Sequence, residues 1–441
     1  MIPTNDNQSV FFLGSDYSLT FLNSLDCSMI FRNSADQALA VLSGCNNKIS
    51  AITPSEGHTL SKLEKDLLFR FIIDNQFEIS TDTAYILGIT IIRWLDGREE
   101  YLTEKRLRNL LKQPIECESL YIGSLNATSL NIASYSQCGV CNFGQVKVSK
   151  FIIGDNCSGQ FDWRDNDKIE VIKVGDSFSG SINLSRTSAE YIDIADNCRC
   201  DLTIYDCKRC FYLNIGDIYS GKLDIKDTCF HSINIGYYSY AYINMVDNWG
   251  HKEVSIGPSF RGKLNISGLN VHSLRLGQDC KGIISLSNGK QESNTHFVEI
   301  GNNFAGVMDM RGTSTVEALR IGEHARGKLN LWSTTGVKTV EFDKYYSGYA
   351  DFSESKIERL RFAEGSSGEL VLLNCPNLKL LILPRNHATN LTVDSKPLDI
   401  RRDDSNVYFY FSIDSFSALE EVSLYQKIYR GVKDIFFSNP H

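Results

Sequence analysis

Cys198, Cys200, Cys207 and Cys210 stand in the spacing C-x-C-x6-C-x2-C, and Cys138 and Cys141 add a second C-x2-C. Thiolates at such intervals suit tetrahedral zinc. A second set carries oxygen. Asp155, Asp176, Asp196 and Asp217 recur along the chain, and so do Asp162, Asn183, Asp224, Asn244 and Asn265. Stacked carboxylates and amides are the ligands that calcium takes, or the contacts that a polar polymer takes. A third set, Lys105, Arg106, Arg108 and Lys112, brings four cations together in the manner of a phosphate contact. His231, His272 and His296 have no nucleophile beside them, and no G-x-S-x-G, P-loop, H-E-x-x-H or dinucleotide fingerprint occurs.

The elements that place these residues are set by an internal repeat. With Gly154 as position 0, the same slot falls at Gly175, Ala195, Gly216, Gly236, Gly257 and Gly277, and then at Gly301, Gly322, Asp343, Ala363 and Pro384. A second small residue follows at position +5, as in Gly159, Gly221, Gly262 and Gly327. Positions −3 and −1 are apolar throughout, as in Leu213/Ile215, Ile233/Ile235 and Val254/Ile256, and +7 and +9 repeat the pattern in Leu223/Ile225 and Leu264/Ile266. Each repeat therefore carries two short period-2 segments separated by glycine-bearing corners. Stacked coil on coil at about 4.8 Å, like positions become continuous apolar rows.

Two of the chemical constellations have a simpler account in this register. Cys157, Cys198 and Cys280 occupy the inward position +3, Cys210 the inward −6, and Cys200 the small slot +5, so buried thiols serve as small apolar residues and no metal is expected. The Asp and Asn rows occupy a turn and the solvent side of the second segment, where these residue types are at home without calcium. The exposed row Arg275, Glu299, Arg320, Glu341, Arg361 alternates in sign from coil to coil, as does Glu317, Lys338, Glu358, Lys379. Parallel stacking one coil apart would need such a checkerboard. Asn265 faces outward by the same register, so Asn265→Asp should be nearly neutral where Ile256→Asp is ruinous.

The expected fold is mainly β: a right-handed parallel β-helix, or solenoid, of about twelve coils of 20–21 residues, with an N-terminal α/β-to-helical domain and a C-terminal helical cap. Over residues 132–393 the phrase Ile-Gly-x-x-Phe-x-Gly-x-Φ-x-Φ, as in Ile300 to Met310, resembles the coils of bactofilin-type polymers, and the coil length is similar to that of pentapeptide-repeat solenoids. The A(D/N)Lxx motif of the latter is absent.

Four segments are expected. Residues 1–57 read as a small α/β segment, with strands at Val10–Leu13, Met29–Phe31 and Ile49–Ile52 and a helix at Ser34–Leu42. Residues 58–115 read as helical. Ser61-Lys62-Leu63-Glu64 is a capping box, a second helix follows Ser80, and a third follows Thr103. Across residues 58–132 this succession resembles winged helix-turn-helix regulators of the OmpR/CadC type. The resemblance implies that Lys105, Arg106, Arg108 and Lys112 lie on a recognition helix, with Leu120–Ile122 and Leu130–Ile132 as the wing. The alternative is a helical cap with a solvated charged face. Residues 116–393 read as the solenoid, and 394–441 as a strand-plus-helix cap with a strand at Val407–Phe411 and a helix from Ser415.

A formal net charge of −8 argues against a global nucleic-acid or anionic-membrane binder, and a 42% apolar composition is ample for a core. Thirteen cysteines, several at core positions, suit free thiols in a reducing compartment, hence a cytoplasmic protein with no membrane span. Enzymes built on β-helices cluster carboxylates and basic residues on one sheet beside long loops, whereas the notable insertion here is only Asn288–Asn294. The expectation is an intracellular, non-enzymatic interaction or scaffold protein that holds a protein partner along its solenoid and needs no cofactor. The alternatives are a transcriptional regulator binding DNA through the N-terminal helices, and a bacterial effector acting on a host partner.

Overall fold

Short segments that alternate branched apolar and polar residues can bury their apolar face only against other such segments. This chain achieves that by coiling. The computed structural model describes residues 2–3, 9–23, 28–45, 48–166, 169–268, 271–287, 295–314, 316–383 and 390–393. It is mainly β, 52% strand against 7% helix, and forms a β-solenoid of about twelve turns with parallel sheets. The chain divides into two compact units, residues 1–169 and 170–441.

The first unit opens with an antiparallel meander of Ser9–Phe12, Tyr17–Asn23, Ser28–Asn33, Ala38–Cys45 and Lys48–Pro54. The helix expected at Ser34–Leu42 is not formed. Asn33 instead closes a turn, its Oδ1 accepting from the backbone N–H groups of Ala35 at 3.1 Å and Gln37 at 2.9 Å, with Asp36 left-handed. Residues Ala38–Cys45 then return as a strand. Helix α1, Lys62–Asp74, begins at the expected capping box: Glu64 N–H donates to Ser61 Oγ, and Ser61 N–H to Glu64 Oε2. Helix α2 is Thr81–Leu87. The apolar faces meet in one cluster that includes Leu19, Phe31, Leu42, Leu68 and Ile72.

A hairpin, Thr90–Trp94 with Glu99–Leu102, separates α2 from helix α3, Glu104–Leu110. Its first strand pairs antiparallel with the first coil, setting Ile92 against Leu120 and Thr90 against Ile122. That coil, Glu116–Ile132, pairs in parallel with Gln137–Ile153, residue for residue from Cys117↔Cys138 to Ile132↔Ile153. Leu120–Ile122 and Leu130–Ile132 are thus parts of a coil and form no wing. Their apolar alternation belongs to the solenoid period, and the edge that a wing would leave open is covered by the hairpin.

In the second unit each coil gives one strand to each of two ladders. In the first ladder Ile215 lies against Ile235 and Ile235 against Ile256. In the second, Leu223 lies on Ile243 and Ile243 on Leu264. The checkerboard is in register, with Arg275, Glu299, Arg320, Glu341 and Arg361 as successive partners. Arg275 pairs with Glu299 at 3.7 Å, whereas Arg320 reaches Asp343 at 3.2 Å.

Corners hold the coils together as firmly as strands do. The residue at position +2 is left-handed in every coil from Ser177 to Tyr345, with φ between 56° and 63°, even where it is Ile218 or Tyr238. Reversing the chain there aims its N–H at the next coil: Asn197 donates to Asp217 O at 2.8 Å, Ile218 to Tyr237 O at 2.8 Å and Tyr238 to Pro258 O at 2.9 Å. Those bonds offset the local strain. The glycine at position 0 serves a different need. A Cβ at Gly257 would sit 2.6 Å from Gly236 O of the coil below.

Position +3 sets the core. Phe178, Cys198, Tyr219, Ser239, Phe260 and Cys280 alternate large with small, and Phe304, Ala325, Tyr346 and Ser366 continue the pattern; all are buried. A corner ring lies along the stack and covers the +5 glycine of the following coil. A Cβ at Gly282 would meet Phe260 Cε1 at 2.8 Å, and one at Gly368 would meet Tyr346 Cε1 at 2.9 Å. The next coil therefore has room only for a small residue. On the flat ladder rings can stack instead, as Phe342 and Phe362 do at 4.2 Å and 6°.

The expected C-terminal strand and helix, residues 394–441, and the insertion Asn288–Asn294 lie outside the described residues. No helix among the described residues is long and apolar enough to cross a membrane.

Phe304→Ala should lower stability by about 3–5 kcal/mol through the cavity it leaves. Ala325→Phe should be at least comparably damaging, because Phe304 already covers Gly327 of that coil. Denaturant unfolding midpoints measure both, and an Ala325→Phe chain as stable as the parent would refute the need for alternating large and small residues at position +3.

Candidate functional site

Helix α3 places three of the four cations expected to touch phosphate, Lys105, Arg106 and Arg108, while Lys112 follows its C-terminus. Thr103 caps it, its Oγ1 accepting from Arg106 N–H at 3.4 Å, and Leu107 is buried beneath it. Arg106 is ion-paired with Glu100 of the hairpin. Arg108 donates from Nε and Nη2 to Glu104 Oε1 and from Nη2 to Asn126 O at 3.3 Å. Both arginines are thereby bound to their own unit, and Arg108 acts as a strut onto the first coil. Lys105 and Lys112, with Arg108, Asn109, Ser129 and Asn131, line an open depression of about 800 Å³. Seven residues make a short helix, and the wing is absent. The arrangement brings three of the four cations together but commits one of them to structure.

The cysteines separate into corner and strand positions. Cys198 and Cys200 lie at one corner, and Cys207 and Cys210 lie at the other end of the second-ladder strand Arg199–Tyr205. Among the described residues no group of three or more His, Cys, Asp or Glu is placed to hold a metal ion. Burial pushes Cys200 up to about 12 and Cys280 to about 11, so both stay neutral thiols packed in the core. The Cys207 hydrogen bond, with burial, holds Cys210 well above the ordinary thiol range. Cys207 Sγ donates to Leu184 O at 3.1 Å, and Cys375 Sγ to Phe352 O at 3.1 Å, as hydroxyls do elsewhere in that row. Thr228 Oγ1, for example, donates to Ile204 O of the preceding coil at 3.3 Å.

The acidic rows are likewise occupied. At position +1 each carboxylate caps the coil above it: Asp196 N–H donates to Asp176 Oδ1 at 3.1 Å, Asp217 N–H to Asp196 Oδ1 at 2.7 Å, and Tyr237 N–H to Asp217 Oδ1 at 2.7 Å. At position +8, Asp309, Asn330 and Asp351 close turns by accepting the N–H two residues on. Where the strand runs longer, the same row stacks. Asn265 Nδ2 donates to Asn244 Oδ1 at 2.7 Å, and Asn244 Nδ2 donates to Asp224 Oδ1 at 2.9 Å.

No protein-family model matches the chain, and no curated protein or solved structure matches it either.

One constellation went unread in the sequence. On the outward face of the second ladder, position +4 carries Arg199, Arg261, Lys281 and Arg326, and position +6 carries Lys222, Lys263 and Lys328, all exposed. Tyr240 and Tyr242 stand among them, 54% and 39% exposed. Arg261 lies over the Tyr240 ring, 5.8 Å from its centre, and Lys263 over the Tyr242 ring at 5.6 Å. Asp201 is the one acid in these two rows between Arg199 and Lys328. The signal was available once the register was set, since every second residue of these strands faces out.

The amide row has a direction, because Asp224 can only accept. Asn265→Asp would set oxygen against oxygen, and flipping Asn244 would only move the clash to Asp224. The outward substitution expected to be neutral should therefore cost about 0.5–1.5 kcal/mol, while Ile256→Asp should abolish folding; thermal melts of both variants check this. Burial would raise the Asp224 carboxyl, but hydrogen bonds from Lys222, Tyr205 and Asn244 more than offset it and hold the group below the ordinary carboxylate range. A depressed folded value gives stability that is complete above the unfolded value and lost as pH falls through the folded one. The stability gap between the parent and Asp224→Asn should be full at pH 7 and close below about pH 4, as acid titration of the unfolding midpoint would show.

Proposed function

We propose that the protein is a non-enzymatic interaction or scaffold protein that presents its solenoid surface to a protein partner inside the cell. The observation that carries this reading is the exposure of large side chains on outward solenoid positions: Tyr191, Tyr212, Tyr237, Tyr238, Tyr240 and Tyr242. Tyrosine is enriched where proteins meet, since it offers a broad apolar face and a polar tip at low entropic cost. In-register hydrogen bonds at strands and corners hold these rings on a rigid frame, which spares a partner the cost of ordering them. Every cysteine among the described residues is a free thiol, which favours a reducing compartment. Right-handed winding belongs to the same reading, as the hand that parallel crossovers take.

The hairpin and α3 serve in this reading as a cap on the first coil. The hairpin pairs with that coil, and Arg108 ties α3 to Asn126 O. The DNA-binding alternative rests on Lys105 and Lys112, for which no ion pair is formed among the described residues.

The test uses the immobilised full chain. The expected result is a defined protein that, once purified, rebinds the purified chain at a fixed stoichiometry and protects the tyrosine-bearing coils from surface labelling. Sequence-specific duplex DNA retained through Lys105 and Lys112 would replace the scaffold with a regulator. Turnover of a polysaccharide or other substrate by the intact chain, abolished by changing one polar cluster on a sheet, would overturn the non-enzymatic reading.

A further inference from the structure

We infer that the outward face of the second ladder, between Arg199 and Tyr349, docks an acidic polypeptide segment that also carries apolar side chains. The inference rests on the scaffold reading above and names the partner's chemistry.

Position +6 forms one in-register row, Lys222↔Tyr242↔Lys263↔Ile283↔Val307↔Lys328↔Tyr349. Ile283 and Val307 are exposed, at 50% and 39%. Beside this row runs position +4 with its four cations. Among the described residues Lys222 alone of the seven cations has an ion pair, with Asp224 at 2.7 Å. On the same face Asp224 is taken by Lys222 and Asp309 by Arg311 at 2.7 Å, which leaves Asp201 against the six other cations. A local excess of positive charge thus persists on a chain whose net charge is −8. The contrast with the first ladder is direct, since its −2 row alternates Arg and Glu from Arg275 to Arg361.

The charge calls for an anionic partner, and three features choose a polypeptide over a nucleic acid. The cations Arg261 and Lys263 occupy faces of Tyr240 and Tyr242, the faces on which bases would stack. The exposed Ile283 and Val307 interrupt the cationic row with apolar area, a mixture typical of protein interfaces. The net negative charge of the chain repels a long polyphosphate more than a short acidic segment. Coil-to-coil spacing of about 4.8 Å puts cations, rings and aliphatic groups within reach of successive side chains of an extended segment crossing the coils.

The test titrates the full chain with a fluorescein-labelled peptide of repeating Glu-Leu-Glu, and in parallel with a poly-glutamate peptide and a single-stranded oligonucleotide of equal charge. The Glu-Leu-Glu peptide should bind saturably and lose affinity as salt rises. Arg261→Glu with Lys263→Glu should weaken it at least tenfold, and Ile283→Ser should weaken it severalfold while leaving poly-glutamate binding unchanged. Arg275→Gln on the other ladder should have no effect. If the first pair of substitutions lowers the melting temperature, Lys281→Glu with Lys328→Glu replaces it. Absence of binding, or binding indifferent to the stripe, would overturn the site. Tighter binding of the oligonucleotide would overturn the choice of partner. A chain that fails here but still rebinds its own partner in the reconstitution above keeps the scaffold reading and loses only this face.

Discussion

Hydrogen bonding from coil to coil is the constraint on which this molecule depends. It operates at the strands and equally at the corners, where left-handed residues such as Ile218 aim their N–H groups at the next coil. A ladder residue of the second unit consequently lies against residues of the same position in the adjoining coils. Side chains are then selected as members of a column rather than one by one. The column of Asp176, Asp196 and Asp217 hands each carboxylate to the backbone above. The column of Arg275 and Glu299 alternates in charge, and the column of Phe260, Cys280 and Phe304 alternates in bulk.

Which parts of this were legible in the sequence follows from how many residue types each column tolerates. Positions −3 and −1 accept little beyond Ile, Leu, Val and Phe, so the register of Ile215, Ile235 and Ile256 could be read directly. Position 0 favours glycine because the backbone below approaches it closely, and it too was legible. Position +2 is the most unusual conformation in the coil, yet it carries Ser, Asn, Ile, Tyr, Asp and His, because the constraint falls on the backbone and the side chain points away. No single-residue pattern betrays it. The size alternation at position +3 was visible in principle, but only with knowledge that a corner ring lies along the stack.

The N-terminal region was read less well for a related reason. Asn33 and Asp36 have the chemistry of a helix start as much as that of a hairpin turn, and the local sequence does not separate them. The cap residues Ser61, Ser80 and Thr103 gave the three helices their places, whereas the winged-helix resemblance borrowed its wing from residues that the solenoid period already claimed. The pairing of Arg106 with Glu100 depends on the hairpin that brings this acid alongside, whereas that of Arg108 with Glu104 joins residues four apart on α3 itself. The cations of the second ladder were overlooked because each is isolated in sequence and meets its fellows only through the stacking of coils.

The alternation of bulk at position +3 also bears on how such a chain grows over evolutionary time. A single coil inserted or deleted by recombination would bring two rings, or two small residues, into contact at the joint, even though every strand kept its register. A duplication of two coils restores the pattern without any further change. The heritable module of this solenoid is therefore the pair, and its length should drift in even steps.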